Sequence, residues 1–185
     1  MSAPLAFFVD TTLCINCKTC EIACKDANGA APGQRLRRVR TFEAGEYPHP
    51  LVVNFSMACN HCERPQCLDA CPSGAYTKRA ADGIVIQSPE LCIGCQYCTW
   101  ACPYGVPQFD PEAGRVSKCN LCVERLDAGG QPACVQACPM RAIEVGPAEQ
   151  LAMRPGATMR ILNLPDPETS EPTTRYRVRP ELRLE

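Results

Sequence analysis

Cys92-Ile93-Gly94-Cys95-Gln96-Tyr97-Cys98-Thr99-Trp100-Ala101-Cys102-Pro103 puts three thiols within seven residues, a fourth three residues further on, and a proline behind it. As spacing this is C-x2-C-x2-C-x3-C-P. The first three sulfurs can curl round one face of a compact body, while a short helical segment carries the fourth away from them. The pattern recurs. Group I is Cys14, Cys17, Cys20 and Cys24, spaced x2, x2, x3. Group II is Cys59, Cys62, Cys67 and Cys71, spaced x2, x4, x3 and followed by Pro72. Group III is the stretch just quoted, and group IV is Cys119, Cys122, Cys134 and Cys138, spaced x2, x11, x3 and followed by Pro139. The four quartets use all sixteen cysteines.

Thiolate is the soft ligand that selects zinc or iron-sulfur clusters. A zinc site of four cysteines needs only two C-x2-C knuckles brought together. Here three quartets are compressed into eleven to thirteen residues and three end in Cys-Pro, as in the bacterial iron-sulfur run. Disulfides fit worse, because C-x2-C-x2-C pairs are too crowded for independent bridges. Met1 to Asp10 also shows no basic n-region or small-residue cleavage site, so no cleaved secretory signal is expected. The second cysteine of every quartet (Cys17, Cys62, Cys95, Cys122) is present. The expectation is therefore four 4Fe-4S clusters and no three-iron centre.

In runs of this kind the fourth cysteine ligates the other cluster of a pair. Groups II and III are joined by a strong hairpin signal, Ala75 to Arg79, an Asp82-Gly83 turn, and Ile84 to Gln87. One cluster is then expected on Cys92, Cys95, Cys98 and Cys71, and another on Cys59, Cys62, Cys67 and Cys102. The same rule gives groups I and IV a cluster on Cys14, Cys17, Cys20 and Cys138, and one on Cys119, Cys122, Cys134 and Cys24. The predicted fold is α+β, two interleaved bacterial-type ferredoxin units with short helices, β-hairpins and many loops. Residues 1–55 and 112–154 form the outer unit, 56–111 the inserted one, and 155–185 an extended tail.

A length of 185 residues allows one or two compact domains. A net charge of -1 gives no nucleic-acid signal, and no run approaches the 18 apolar residues of a membrane span. Each oxidised cluster with its thiolates would add roughly two negative charges, which the cations, fifteen of them arginine, help to offset.

Ala6 to Asp10, Leu51 to Phe55 and Ala142 to Val145 read as strands, and Pro107 to Asp110 with Arg115 to Lys118 as a second hairpin. Glu21 to Ala27 and Pro147 to Met153 read as short helices. The basic run Gln34 to Arg40 reads as a solvated strand or as a charged contact with a partner or with clusters. The tail from Pro155 is expected to be mobile or laid across a neighbouring subunit. His61 is expected at the surface or just behind the ligands, and Trp100 and Tyr97 packed on a cluster to exclude water. Lys18, Lys25 and Lys118, near cysteines, read either as potential-tuning charges or as solvated cations.

The quartets with their x4 and x11 insertions, and the phrases CNHC, CPSGA, CIGCQYC, CPYGVPQF and KCNLC, closely resemble the iron-sulfur subunit of the dimethyl sulfoxide reductase family of molybdopterin oxidoreductases. The resemblance runs from about Phe7 to Pro147. It implies a non-catalytic subunit whose clusters form a wire between a molybdopterin catalytic subunit and an integral membrane quinol-oxidising subunit. It also implies that the Cys14 cluster faces the molybdenum subunit and the Cys59 cluster the membrane side. Membrane association would come only through partners. Assembly would be cytoplasmic, and a twin-arginine partner could carry the folded chain across the membrane. The alternatives are a free polyferredoxin, or the electron-transfer subunit of a tungsten aldehyde oxidoreductase, formate dehydrogenase or hydrogenase. A zinc-bound nucleic-acid module is a further alternative, and it would be colourless.

Overall fold

The computed structural model describes residues 3–184. In chain order it contains β1 (Leu5–Asp10), α1 (Thr19–Ala27), β2 (Arg38–Ala44), β3 (Leu51–Met57), α2 (Gln66–Asp69), β4 (Tyr76–Lys78), β5 (Val85–Gln87) and α3 (Tyr97–Ala101). It continues with β6 (Gln108–Asp110), β7 (Arg115–Ser117), α4 (Val123–Asp127), α5 (Ala133–Gln136), β8 (Ile143–Pro147), α6 (Ala148–Ala152), β9 (Ala157–Thr158) and β10 (Arg175–Arg177). This is a small α+β architecture of short pieces.

β1 anchors the one larger sheet. Successive side chains of a strand point to opposite faces. Phe7 and Val9 accordingly enter the main core, while Ala6 and Phe8 meet Leu151 of α6. With both faces covered, Ala6 to Asp10 are all buried. β1 pairs antiparallel with β8 and parallel with β10, and β9 adds to β10, giving the order β8-β1-β10-β9.

The tail departs from the mobile or partner-docked arm that its composition suggests. β10 lies inside the chain's own sheet, with Val9 opposite Tyr176. The Tyr176 ring is buried 5.8 Å from that of Phe55. Thr11 donates its N–H and hydroxyl to the Arg177 carbonyl, and Arg177 pairs with Asp10 at 2.8 Å. The tail's buried hydrophobic residues are Met159, Ile161, Tyr176, Val178 and Leu182; Tyr176 and Val178 alternate with Arg175, Arg177 and Arg179 in a short strand pattern set among prolines.

Three hairpins form two-stranded sheets, β2-β3, β4-β5 and β6-β7. The second follows its turn signal: Asp82 Oδ1 accepts the Ile84 N–H at 3.1 Å and Gly83 adopts φ +71°. The third straddles the 111/112 boundary expected from sequence. Its Val116 and Phe109 pack with Cys67, Ala75, Tyr76, Val85 and Cys98 in a second, smaller core.

Candidate cluster-binding site

Each quartet opens on the same backbone turn. The residue just before the second cysteine has positive φ in all four: Asn16 (+60°), His61 (+44°), Gly94 (+72°) and Leu121 (+60°). Outside glycine this left-handed conformation costs about 1–2 kcal/mol per residue. Such strain persists where surrounding structure enforces it, and it concentrates at functional sites. Gly94 has a further reason to be glycine, since a Cβ there would overlap the carbonyl oxygen of Gly114 at the tip of β6-β7.

The third cysteine of each quartet sits on a short helix: Cys20 on α1, Cys67 on α2, Cys98 on α3 and Cys134 on α5. α1 packs against α5, and α2 against α3. The fourth cysteine therefore reaches toward the quartet of the facing helix. Cys14, Cys17, Cys20 and Cys138 line one small cavity, and Cys59, Cys62, Cys67 and Cys102 another. Burial raises the Cys24 thiol pKa, and Cys119, Cys134 and Cys122 reinforce the rise while Arg37 opposes it. Burial likewise raises Cys98, next to Cys71, Cys92 and Cys95. Each of the four groupings takes three thiols from one quartet and one from another.

Four sulfurs accept backbone N–H groups: Cys59 from His61 at 3.4 Å, Cys71 from Ala75 at 3.4 Å, Cys92 from Val116 at 3.3 Å and Cys138 from Ala142 at 3.4 Å. The Cys71 and Cys138 bonds occupy equivalent places, four residues past the start of a Cys-Pro pair. Hydrogen bonds to sulfur are among the factors that set cluster potentials.

The donor set suits a metal-sulfur group. Burial pushes the Cys62 and Cys67 thiols up to about 12, so only a bound metal would hold them as thiolates at neutral pH. Among the described residues no three His, Cys, Asp or Glu side chains converge closely enough for a single metal ion.

Several expectations about neighbouring residues change. Arg37, in the run read as a solvated strand or as a charged contact, is only 1% exposed, which departs from the solvated reading. A charged run with Leu36 and Val39 on alternate sides gives no sign that one of its arginines turns inward. Of the two places expected for His61 the structure takes the one behind the ligands: it is buried, its backbone N–H donates to Cys59 Sγ, its Nδ1 accepts the Val85 N–H at 3.1 Å, and burial holds its pKa well below the usual value. Trp100 is 74% exposed and stacks loosely on half-exposed Tyr97, with 5.7 Å between centroids, so neither seals a site. Of the three lysines, Lys118 is the buried one. Its Nζ lies 3.6 Å from Cys59 Sγ and donates to the carbonyls of Cys119, at 2.9 Å, and Val85.

Lys118 joins the Cys59 grouping to Cys119 on one side. Tyr76, whose phenol pKa is raised by burial and then by Cys98, Cys67 and Cys59, joins it to Cys98 on the other. The tail covers it as well: Ser170 Oγ is 3.4 Å from Cys62 Sγ, and Thr173 donates to the Asn60 carbonyl at 2.6 Å. The Cys59 grouping is thus flanked by two others and by the tail. No helix among the described residues is long and apolar enough to cross a membrane.

Residues 51–148 match the family model of the 4Fe-4S dicluster domain, and residues 11–28 that of a 4Fe-4S binding domain. The chain is 41% identical over 180 residues to YnfG of Escherichia coli, a probable anaerobic dimethyl sulfoxide reductase chain, covering 93% of this chain and 87% of that one. It is 39% identical, with the same coverage, to a polypeptide of the anaerobic dimethyl sulfoxide reductase of the same organism. Over 159 residues it is 37% identical to a subunit of the sulfite dehydrogenase of Allochromatium vinosum, covering 75% of this chain and 66% of that one. With this identity over most of both chains and a 4Fe-4S dicluster domain across residues 51–148, this protein belongs to the iron-sulfur, electron-transfer subunits of dimethyl sulfoxide reductase-type oxidoreductases.

Proposed function

We propose that the chain holds four 4Fe-4S clusters in two ligand-exchanging pairs. They carry electrons between a molybdopterin catalytic subunit and a quinol-linked membrane subunit, and the chain associates with the membrane only through these partners. The observation that carries this reading is the grouping of sixteen thiols into four sets of three plus one. The order supported by the shared neighbours is Cys14 set, Cys24 set, Cys59 set, Cys71 set, with Arg37, Lys118 and Tyr76 at the three junctions. On this reading the interleaved units meet just after β7, not at 111/112.

The bound clusters supply one-electron chemistry. The chain's own residues hold sulfur, limit water and position neighbouring sites; no side-chain arrangement is needed for bond-making on a substrate. Exposed apolar side chains lie at both ends of the proposed row. Ile15 and Met140 line the Cys14 cavity beside exposed Leu13, while Leu91, Ile93, Tyr97 and Trp100 surround Cys92 to Cys98. Two apolar ends support a subunit wedged between two proteins over a free polyferredoxin.

Anaerobic purification through an affinity tag on this chain tests the reading. The expected result is a larger protein carrying molybdenum in stoichiometric amount; an iron-loaded monomer would overturn it in favour of the free carrier. Replacing Trp100 and Tyr97 together by serine is expected to weaken capture of one partner about tenfold or more, as loss of aromatic interface anchors does. The iron content and melting temperature of the chain should not change. Unchanged capture of both partners would show that this face is not a contact.

A further inference from the structure

Among the described residues Arg37 is the largest side chain that is fully buried. Its guanidinium carbon sits 4.3 Å from the centroid of the Phe7 ring, and Nη1 donates to the carbonyl and hydroxyl oxygens of Ser56 at 3.2 and 3.1 Å. Its Nε and Nη2 are buried with no oxygen or nitrogen acceptor, and the Cys134 sulfur is the group the guanidinium approaches. Among the described residues it forms no ion pair with a carboxylate. The sulfurs of Cys134, Cys119, Cys20 and Cys24 surround it. Cys20 belongs to the Cys14 set and the other three to the Cys24 set, so the guanidinium lies at the junction of two sets.

A buried N–H without an acceptor is costly, and a buried cation without a counter-charge more so. With no carboxylate against the guanidinium among the described residues, the acceptors left for Nε–H and Nη2–H are the neighbouring sulfurs and the group they bind. An iron-sulfur cluster with its thiolates is anionic and offers sulfur acceptors, and one-electron reduction adds a further negative charge. We infer that Arg37 is a shared charge-compensating residue, reserving Nε–H and Nη2–H for the sulfurs of the clusters on the Cys14 and Cys24 sets and raising both reduction potentials. This rests on the cluster assignment above. A single cation between two sites stabilises an added electron on either of them. Its action is electrostatic positioning; it exchanges no proton.

The test uses the intact complex and EPR-monitored redox titration. In an Arg37→Gln protein, the ratio of reduced to oxidised cluster at fixed potential should fall about tenfold or more at two of the clusters, a 59 mV shift for a one-electron couple. The two clusters assigned to the Cys59 and Cys71 sets should move much less, and Arg37→Lys should recover most of the shift. A fully iron-loaded Arg37→Gln protein with all four midpoints unmoved would overturn the inference, as would a shift confined to the Cys59 and Cys71 sets. If the variants fail to load iron, wild-type complex made with 15N-arginine decides the matter by pulsed EPR. Nitrogen coupling at the reduced Cys14- and Cys24-set clusters supports the inference, and its absence overturns it. Iron-free wild-type protein would instead sink the cluster assignment itself.

Discussion

Cys138→Ala is expected to remove the same EPR signal as Cys14→Ala, and not the signal removed by Cys119→Ala, although Cys138 follows Cys134 by only four residues. Local sequence would give Cys138 to the cluster of Cys119, Cys122 and Cys134. In the fold, α5 packs against α1, Cys138 joins the cavity of Cys14, Cys17 and Cys20, and its sulfur is fixed there by the Ala142 N–H. The mirror experiment is Cys24→Ala, which should match Cys119→Ala. Each loss should remove about four of sixteen irons per chain, or convert one four-iron signal to a three-iron one. Iron analysis and EPR on the same samples read both. If Cys138→Ala matched Cys119→Ala, ligand exchange between groups I and IV would be wrong and each quartet would hold its own cluster.

Deleting residues 155–185 is expected to abolish soluble, iron-loaded protein. The deletion removes β9 and β10 and uncovers one edge of β1. It also strips Met159, Ile161, Tyr176, Val178 and Leu182 out of the main core. Full burial of such a side chain is worth about 1.5–3 kcal/mol, so five approach the whole stability of a typical domain, about 5–15 kcal/mol. A milder version avoids relying on failure to fold. Tyr176→Ala should cost about 3–5 kcal/mol, read as a lowered melting temperature, with partner capture unaffected. A truncated chain that melts like the full-length one and keeps its iron would show that the tail is an accessory arm.

The cysteine groupings were legible because in three of the four quartets the first three thiols lie within nine residues, so local spacing carries their geometry; in the fourth, Cys134 is twelve residues from Cys122 and the Cys-Pro ending gave it away. The Asp82-Gly83 and Pro111 to Gly114 turns were legible for the same reason: Asp82 and Asp110 close them with short-range hydrogen bonds. What escaped the sequence depends on long-range packing. β10 joins β1 across more than 160 residues, and the brief alternation Arg175-Tyr176-Arg177-Val178 is too short to announce which strand it will pair with. Arg37 looks like Arg35, Arg38 and Arg40 in a basic run, yet the β2-β3 hairpin directs it behind Phe7 and Ser56. Trp100 sits among ligands in sequence, and an aromatic there reads as a water seal. In the short helix α3, Cys98 faces inward while Trp100, two residues on, falls on the outer side.

The most direct measurement is iron and acid-labile sulfide per chain in the anaerobically purified complex, followed by the redox state of that iron during turnover. Four cubanes acting as a wire predict about sixteen irons per chain, reduced by the electron donor and reoxidised when substrate reaches the catalytic partner. Zinc in place of iron, or a full complement of iron that stays oxidised while the partner turns over, would contradict it.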